Sequence, residues 1–350
     1  MKNRFKNRVL LTMVLICFVS IIGIPIMAEA NMTLRWAHYA AETHPLHLSA
    51  VKFKEIVEKQ TNGEIKIEIY PNNTLGSSVQ ILENFKAGGV DMSSNTTGQL
   101  QQWVPEACAV QFLYIFEDPE HAYKVLDTEG GQMIAELAEP KGFKILSWWD
   151  WGFRQFTNSK HPINTPEDVK GLKFRISPEI SMEAAFHALG AITEKIAFAE
   201  LYMALSQGVV DGQDNGIPAT YHMKFYEHNK YIAMVNYMYQ PAIHMISTAT
   251  WAKLTPEQQK LFMTASAECR DYMRKLMLED ERSLIPKMEA AGVQFTYPDA
   301  AVFQAVMEPA MLQIADFTGR DFSKKFLGAV KTHAKKDSTK AYLQKMIDAF

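Results

Sequence analysis

Two arginines and one acid–amide block are the residues whose types and spacing could do chemistry in this sequence. Arg154 stands in Gly152-Phe153-Arg154-Gln155-Phe156-Thr157-Asn158, and Arg175 in Gly171-Leu172-Lys173-Phe174-Arg175-Ile176. Forty residues after Gly171 begins Asp211-Gly212-Gln213-Asp214-Asn215. A guanidinium is a planar fork of donors that matches a carboxylate bidentately. Each charge-assisted hydrogen bond contributes about 1.5–3 kcal/mol. Two arginines and an amide could thus supply much of the roughly 8 kcal/mol that micromolar binding needs. Spacing alone does not separate such a clamp from surface ion pairs, which contribute little.

Other chemistries find no local motif. The sequence holds no HExxH, GxSxG, P-loop or CxxC, the patterns of zinc, serine, nucleotide and thiol sites. Asp211–Gly216 opens like a calcium loop, but its twelfth position is His222, where a bidentate Glu is required. Ten histidines are scattered without metal spacing. No metal and no cofactor is expected. A formal net charge of −3 provides no basic footprint for nucleic acid.

The elements that must position these residues are α/β in order. The chain has 350 residues, 47% hydrophobic and 21% charged, which suits two domains or one large α/β body and argues against disorder. Lys2, Arg4, Lys6 and Arg8 precede an apolar run from Val9 to Met27, and Ala28-Glu29-Ala30 is a small-x-small cleavage site. Residues 1–30 therefore read as a signal peptide cleaved after Ala30, with an uncleaved membrane anchor as the competing reading. Its removal leaves 320 residues with 32 Lys+Arg against 38 Asp+Glu, a net charge of −6. Cys108 and Cys269 remain, either as two buried thiols or as a disulfide that an oxidising compartment would permit.

Strand, helix, strand, helix, strand is read from Leu34 to Met92, with Ile65, Ile67 and Ile69 alternating against Lys66 and Glu68. Parallel pairing follows from that order. The same rhythm restarts with strands at 143–149 and 174–176, and helices at 180–189 and 198–207. Thr255-Pro256-Glu257-Gln258 caps a long helix running towards Ala291, which Pro286 is expected to interrupt and bend. Such a helix is suited to bracing two lobes.

With Thr61-Asn62-Gly63, Tyr70-Pro71, Leu75-Gly76 and Gly89-Val90-Asp91-Met92, the arginine and Asp-Gly-Gln blocks closely resemble the solute-binding proteins of TRAP transporters, the DctP-type periplasmic receptors. The resemblance spans essentially the whole mature chain. It implies a two-lobed periplasmic binding protein with an interlobe ligand cleft, crossing hinge strands and a long bracing helix. Lobe I is expected at 31–151 and 237–280, and lobe II at 152–236 and 281–350. The resemblance also assigns Arg175 to a paired salt bridge with the ligand carboxylate, Arg154 and Asn215 to its flanks, and Phe198 to packing on the ligand. Asp214 stands where the family often has Glu, with little consequence expected.

The equivalent first-lobe positions are His38 and Tyr39, Ser77 and Ser78, and Asn95-Thr96-Thr97, each of which could instead be a turn or cap residue. Trp149 and Trp151 share one face of their strand, either as core or, for one of them, as a cleft wall suited to a ring-bearing acid. Asp150 could accept ligand hydroxyls, as a sugar acid requires. The expected function is capture of an organic acid anion by a periplasmic monomer and its delivery to a membrane TRAP permease, with no reaction performed. An exported α/β enzyme acting on carboxylated substrates is the alternative, and a sensor or primary-pump receptor is a third reading.

Overall fold

The computed structural model describes residues 32–350, so the expected signal peptide lies outside the described residues. Strand β1 (Met32–His38) is followed by helix α1 (Pro45–Gln60), β2 (Ile65–Tyr70), α2 (Ser78–Lys86) and β3 (Met92–Thr96). Ile65 and Ile67 of β2 point inward while Lys66 and Glu68 face solvent, the alternation a half-buried strand imposes. Both β2 and β3 pair with β1 in parallel. Two 3₁₀ segments (97–102 and 105–111) then lead to α3 (Pro119–Leu126), α4 (Glu129–Ala138) and the long strand β4 (Phe143–Phe153).

After Arg154 the chain enters a second sheet as β5 (Gln155–Asn158). The βα units β6 (Lys173–Ile176), α5 (Ile180–Ala188), β7 (Ile192–Lys195), α6 (Leu201–Ser206), β8 (Gly212–Asn215) and α7 (Ile217–His222) follow. Strand β9 (Tyr231–Ala233) completes this lobe's middle, and the chain returns to the first sheet as β10 (Tyr239–Ser247). The sheet orders are β2-β1-β3-β10-β4 and, with β11 (Gln294–Thr296) on its edge, β11-β9-β5-β8-β6-β7. Two strand connections, at Arg154 and at 234–238, thus cross between the sheets.

The family resemblance implies crossing strands, but the residue pattern gives no sign of the second, β10. All nine residues of β10 are buried, so it shows no period-two alternation to read. It runs antiparallel to both β3 and β4, which makes the first sheet mixed rather than parallel.

Helices α8 (Thr248–Trp251) and α9 (Pro256–Ala290) come next. Thr255 and Gln258 form the anticipated capping box at the start of α9. Pro286 does not interrupt α9, which stays helical to Ala290. At 35 residues it is about 50 Å long and packs on α1 and β4 in one lobe and on α7 in the other, so it braces both.

Helices α10 (Ala300–Thr318), α11 (Arg320–His333) and α12 (Asp337–Ala349) close the chain. Here the expected lobe boundary moves. Strand β11 joins the second sheet, but α11 packs on α3 and α4, burying Phe326, Leu327 and Val330 against the first lobe. The largest core cluster is accordingly shared, holding Phe143 of the first sheet and Phe174 of the second. Among the described residues no helix is long and apolar enough to cross a membrane.

Candidate functional site

Arg154 occupies the one position between β4 and β5, where the chain changes sheets, and its amide donates to Met238 O at 2.9 Å on the neighbouring crossing. Each of the three nitrogens of its buried guanidinium has a protein acceptor. Nε donates to Asp214 Oδ2 at 2.5 Å, Nη2 to the Asp214 carbonyl, and Nη1 to Gln240 Oε1. Tyr237 Oη donates to the same Asp214 oxygen at 2.5 Å. Burial disfavours the Arg154 cation, but the charge and hydrogen bond of Asp214 outweigh it and hold its pKa above the usual arginine range. Asp214 is therefore the counter-ion of the crossing. The sequence pattern assigns Asp214 no such role, since its partner Arg154 lies sixty residues away.

Arg175 has the opposite surroundings. It lies in β6, paired with Gln213 of β8 and Glu194 of β7, and only 1% of it is exposed. Nε donates to Ile196 O at 2.8 Å, while Nη1 has no partner. Burial and then the neighbouring charge of Arg154 push its pKa down to about 10, against opposing contributions from Asp214 and Glu179. A buried cation without an acid of its own is costly, and a carboxylate would relieve that cost.

The cavity these arginines line lies between the lobes. Asn215, at the end of β8, lines it with its amide bound to Trp151 Nε1 at 3.3 Å and Gln213 Oε1 at 2.5 Å. Gly212 lets β8 approach β5, since a Cβ there would sit 2.2 Å from Thr157 O. Phe198 opens the segment after β7, its ring centroid 5.7 Å from the Arg175 Cζ and 5.6 Å from the Tyr39 ring. Trp151 and Tyr39 complete an aromatic wall, 4.5 Å apart.

The first lobe contributes neutral groups. Asn95 and Thr96 end β3 and line the cavity; Asn95 Nδ2 donates to Ser78 O at 3.1 Å, and its Oδ1 accepts from the Thr96 amide at 3.1 Å. Thr96 Oγ1 and Tyr39 Oη are buried without partners. An adjoining cavity shares Arg175, Phe198 and Ser78 and is also lined by Ser77 and Lys195.

Three expected residues lie elsewhere or serve otherwise. His38 points away from the cleft, its Nε2 3.2 Å from His47 Nδ1, because neighbouring residues of an extended strand face opposite sides and Tyr39 takes the cleft side. Asp150 likewise faces away from the side of Trp149 and Trp151. It accepts from Tyr239 Oη at 2.9 Å, Gly152 N at 2.8 Å and Tyr123 Oη, and lines a different cavity beside Glu281. Ser77 is the N-cap of α2 in a capping box with Gln80, at the margin of the adjoining cavity. Cys108 and Cys269 are both buried free thiols.

Glu179, Gln240 and Gln99 also line the cavity of the two arginines, beyond the residues to which the sequence points. Glu179 follows Arg175 by four residues, and its proximity to the motif arginine was the available signal. Gln240 belongs to the strand that sequence periodicity concealed. Among the described residues no group of three or more His, Cys, Asp or Glu could hold a metal ion.

Comparison with known proteins agrees with this architecture. The sequence model described as "Bacterial extracellular solute-binding protein, family 7" (DctP) matches residues 36–316. The chain is 32% identical over 265 residues to the 2,3-diketo-L-gulonate-binding periplasmic protein YiaO of Escherichia coli, covering 76% of this chain and 81% of that protein. The crystal structure of a TRAP periplasmic solute-binding protein from Sulfitobacter sp. NAS-14.1 with bound β-D-galacturonate is 30% identical with a TM-score of 0.81, covering 84% of this chain and 99% of that one. A TRAP periplasmic solute-binding protein from Sulfurospirillum deleyianum with bound succinate is also 30% identical, with a TM-score of 0.80 and coverage of 85% and 99%. The chain belongs to family 7 of the bacterial extracellular solute-binding proteins.

Proposed function

We propose that this family 7 protein captures an organic acid anion in the interlobe cleft by its carboxylate and delivers it to a TRAP-type ion-driven permease. One observation carries the reading: Arg175 is a buried cation with an unpartnered Nη1 and no acid of its own, in a cavity between the lobes. Asn215 and Arg154 flank the carboxylate position, Phe198 covers it, and Asn95, Thr96 and Tyr39 meet the remainder of the ligand. Lobe closure excludes water and strengthens each of these interactions. No reaction and no cofactor is involved. The protein acts in the periplasm as a monomer after cleavage behind Ala30.

The test is calorimetry against a panel of organic acids spanning aromatic, keto, sugar and dicarboxylic acids. At least one acid binds saturably and is recovered unchanged. Arg175→Ala lowers its affinity by about 2–4 kcal/mol, roughly 30- to 1,000-fold, with the melting temperature kept or raised. Normal affinity in that variant, or product formation from the acid, would sink the reading.

A further inference from the structure

The cleft contains a second ionisable group that the carboxylate clamp does not use. Glu179 lies just beyond the end of β6, 2% exposed, and lines the same cavity as Arg175, Tyr39 and Asn215. Its carboxylate is held by three amides. Gln99 Nε2 donates to Oε1 at 2.6 Å, and Gln111 Nε2 and Gln240 Nε2 donate to Oε2 at 2.6 and 3.2 Å. Gly98 permits this approach, since a Cβ there would come within 1.9 Å of Glu179 Oε2. The partners are neutral, and two of them come from the 3₁₀ segments of the first lobe. A carboxylate offers about four acceptor positions, so one stays open on a group that lines the cavity.

The charges in the cleft then sort into two kinds. Arg154 is matched by Asp214 at 2.5 Å. Arg175 has no acid partner, and Glu179 has only amides. The cavity therefore offers a ligand one free cation and one free anion. We infer that Glu179 determines specificity: it accepts a hydroxyl donated by the far part of a ligand whose carboxylate is held by Arg175, and it repels a second carboxylate. The preferred ligand class is a polyhydroxy monocarboxylate, as opposed to a dicarboxylate. This inference rests on the organic-acid reading given above and deepens it.

Two probes isolate the effect, because galactonate and galactarate differ only in whether the terminal carbon is a hydroxymethyl group or a carboxylate. Calorimetry on the full chain shows galactonate bound about 100-fold more tightly than galactarate, the scale of a like-charge juxtaposition. Glu179→Gln narrows that ratio at least tenfold by weakening galactonate and strengthening galactarate. The variant is close in shape, and Gln111, whose Oε1 is unpartnered, can turn its amide over to accept from the new amide. Glu179→Ala, followed by thermal melt, provides a second variant with the same direction. A merely structural brace between the lobes would change both affinities equally and leave the ratio untouched. An unchanged ratio, tighter binding of galactarate than galactonate by the wild type, or a preference for acids without hydroxyls overturns the inference while leaving the receptor reading intact. If no acid of the wider panel binds, both fail together.

Discussion

The two lobes meet the cleft with different chemistry. The second lobe and the strand crossing bring ionised groups: Arg154 against Asp214, then Arg175 and Glu179. The first lobe brings neutral ones, namely Tyr39, Asn95, Thr96 and Gln99, and it buries histidines that are held uncharged. Burial and then His47 push His38 down to about 3, and burial alone does the same to His244. His44, stacked on Trp151 at 4.4 Å, is held well below the usual histidine range by burial and by His222 and His38. Under the proposed function, charge concentrated on one side of the hinge would let closure place neutral donors and acceptors over an anion held by the second lobe. On that reading the first lobe would add selection without adding a competing charge.

The largest test of that contrast is Arg154→Ala. It strands Asp214 as a buried acid with only Tyr237 as a side-chain partner, so stability falls by about 3–5 kcal/mol in chemical denaturation. Arg175→Ala, by comparison, removes an unpaired cation and spares stability. If both variants unfolded equally easily, the distinction between a structural and a ligand-facing arginine would be wrong.

Acid comes next. An unfolded histidine takes up its proton near 6.5, whereas His38 and His244 stay neutral in the fold down to about 3. Below pH 6.5 the unfolded chain binds more protons, so the stability these residues contribute is lost as pH falls from 6.5 towards 3. At pH 5 each accounts for about 2 kcal/mol. Asp150 and Glu281, whose carboxyls burial holds above their ordinary range, oppose that loss. The decisive readout is therefore the ring signals of His38 and His244 by nuclear magnetic resonance, which keep their neutral positions at pH 5. A midpoint near 6.5 for either would mean that the first lobe is not electrically silent.

The smallest expected effect is at the boundary between the two chemistries. Phe198 touches Tyr39 from the first lobe and underlies Arg175 from the second. Phe198→Ala costs about 1 kcal/mol of ligand affinity through lost stacking and cation–π contact. Calorimetry on the acid identified in the panel measures it. A loss as large as that of Arg175→Ala would make the aromatic wall, rather than the charge, the main source of affinity.

Much of this was legible in the chain itself. The alternation of Ile65, Ile67 and Ile69, the capping box at Thr255 and the restarted βα rhythm depend on neighbours a few residues away, and local sequence carries that information. Arg154, Arg175, Asn215 and Phe198 are singled out for the ligand only through the family resemblance of their short blocks, since spacing alone fits surface ion pairs equally well. The strand β10 was not legible, because a strand buried on both faces has no polar alternation to betray it. Gln240 was hidden with it.

What only the tertiary structure decided is how these residues are partnered. Sequence spacing presents Arg154 and Arg175 as equivalent guanidinium groups. Folding brings Asp214 against one, from sixty residues away, and leaves the other facing a cleft. The same kind of long-range contact turned Asp150 towards Tyr123 and Tyr239 and placed Glu179 among three amides contributed by both crossing and lobe. Residue type and local period determine where a side chain begins. Whether it ends as a counter-ion, a cap or a ligand contact depends on which distant group burial forces upon it, because an unpaired charge or polar atom away from water must find a partner in the protein or in the ligand.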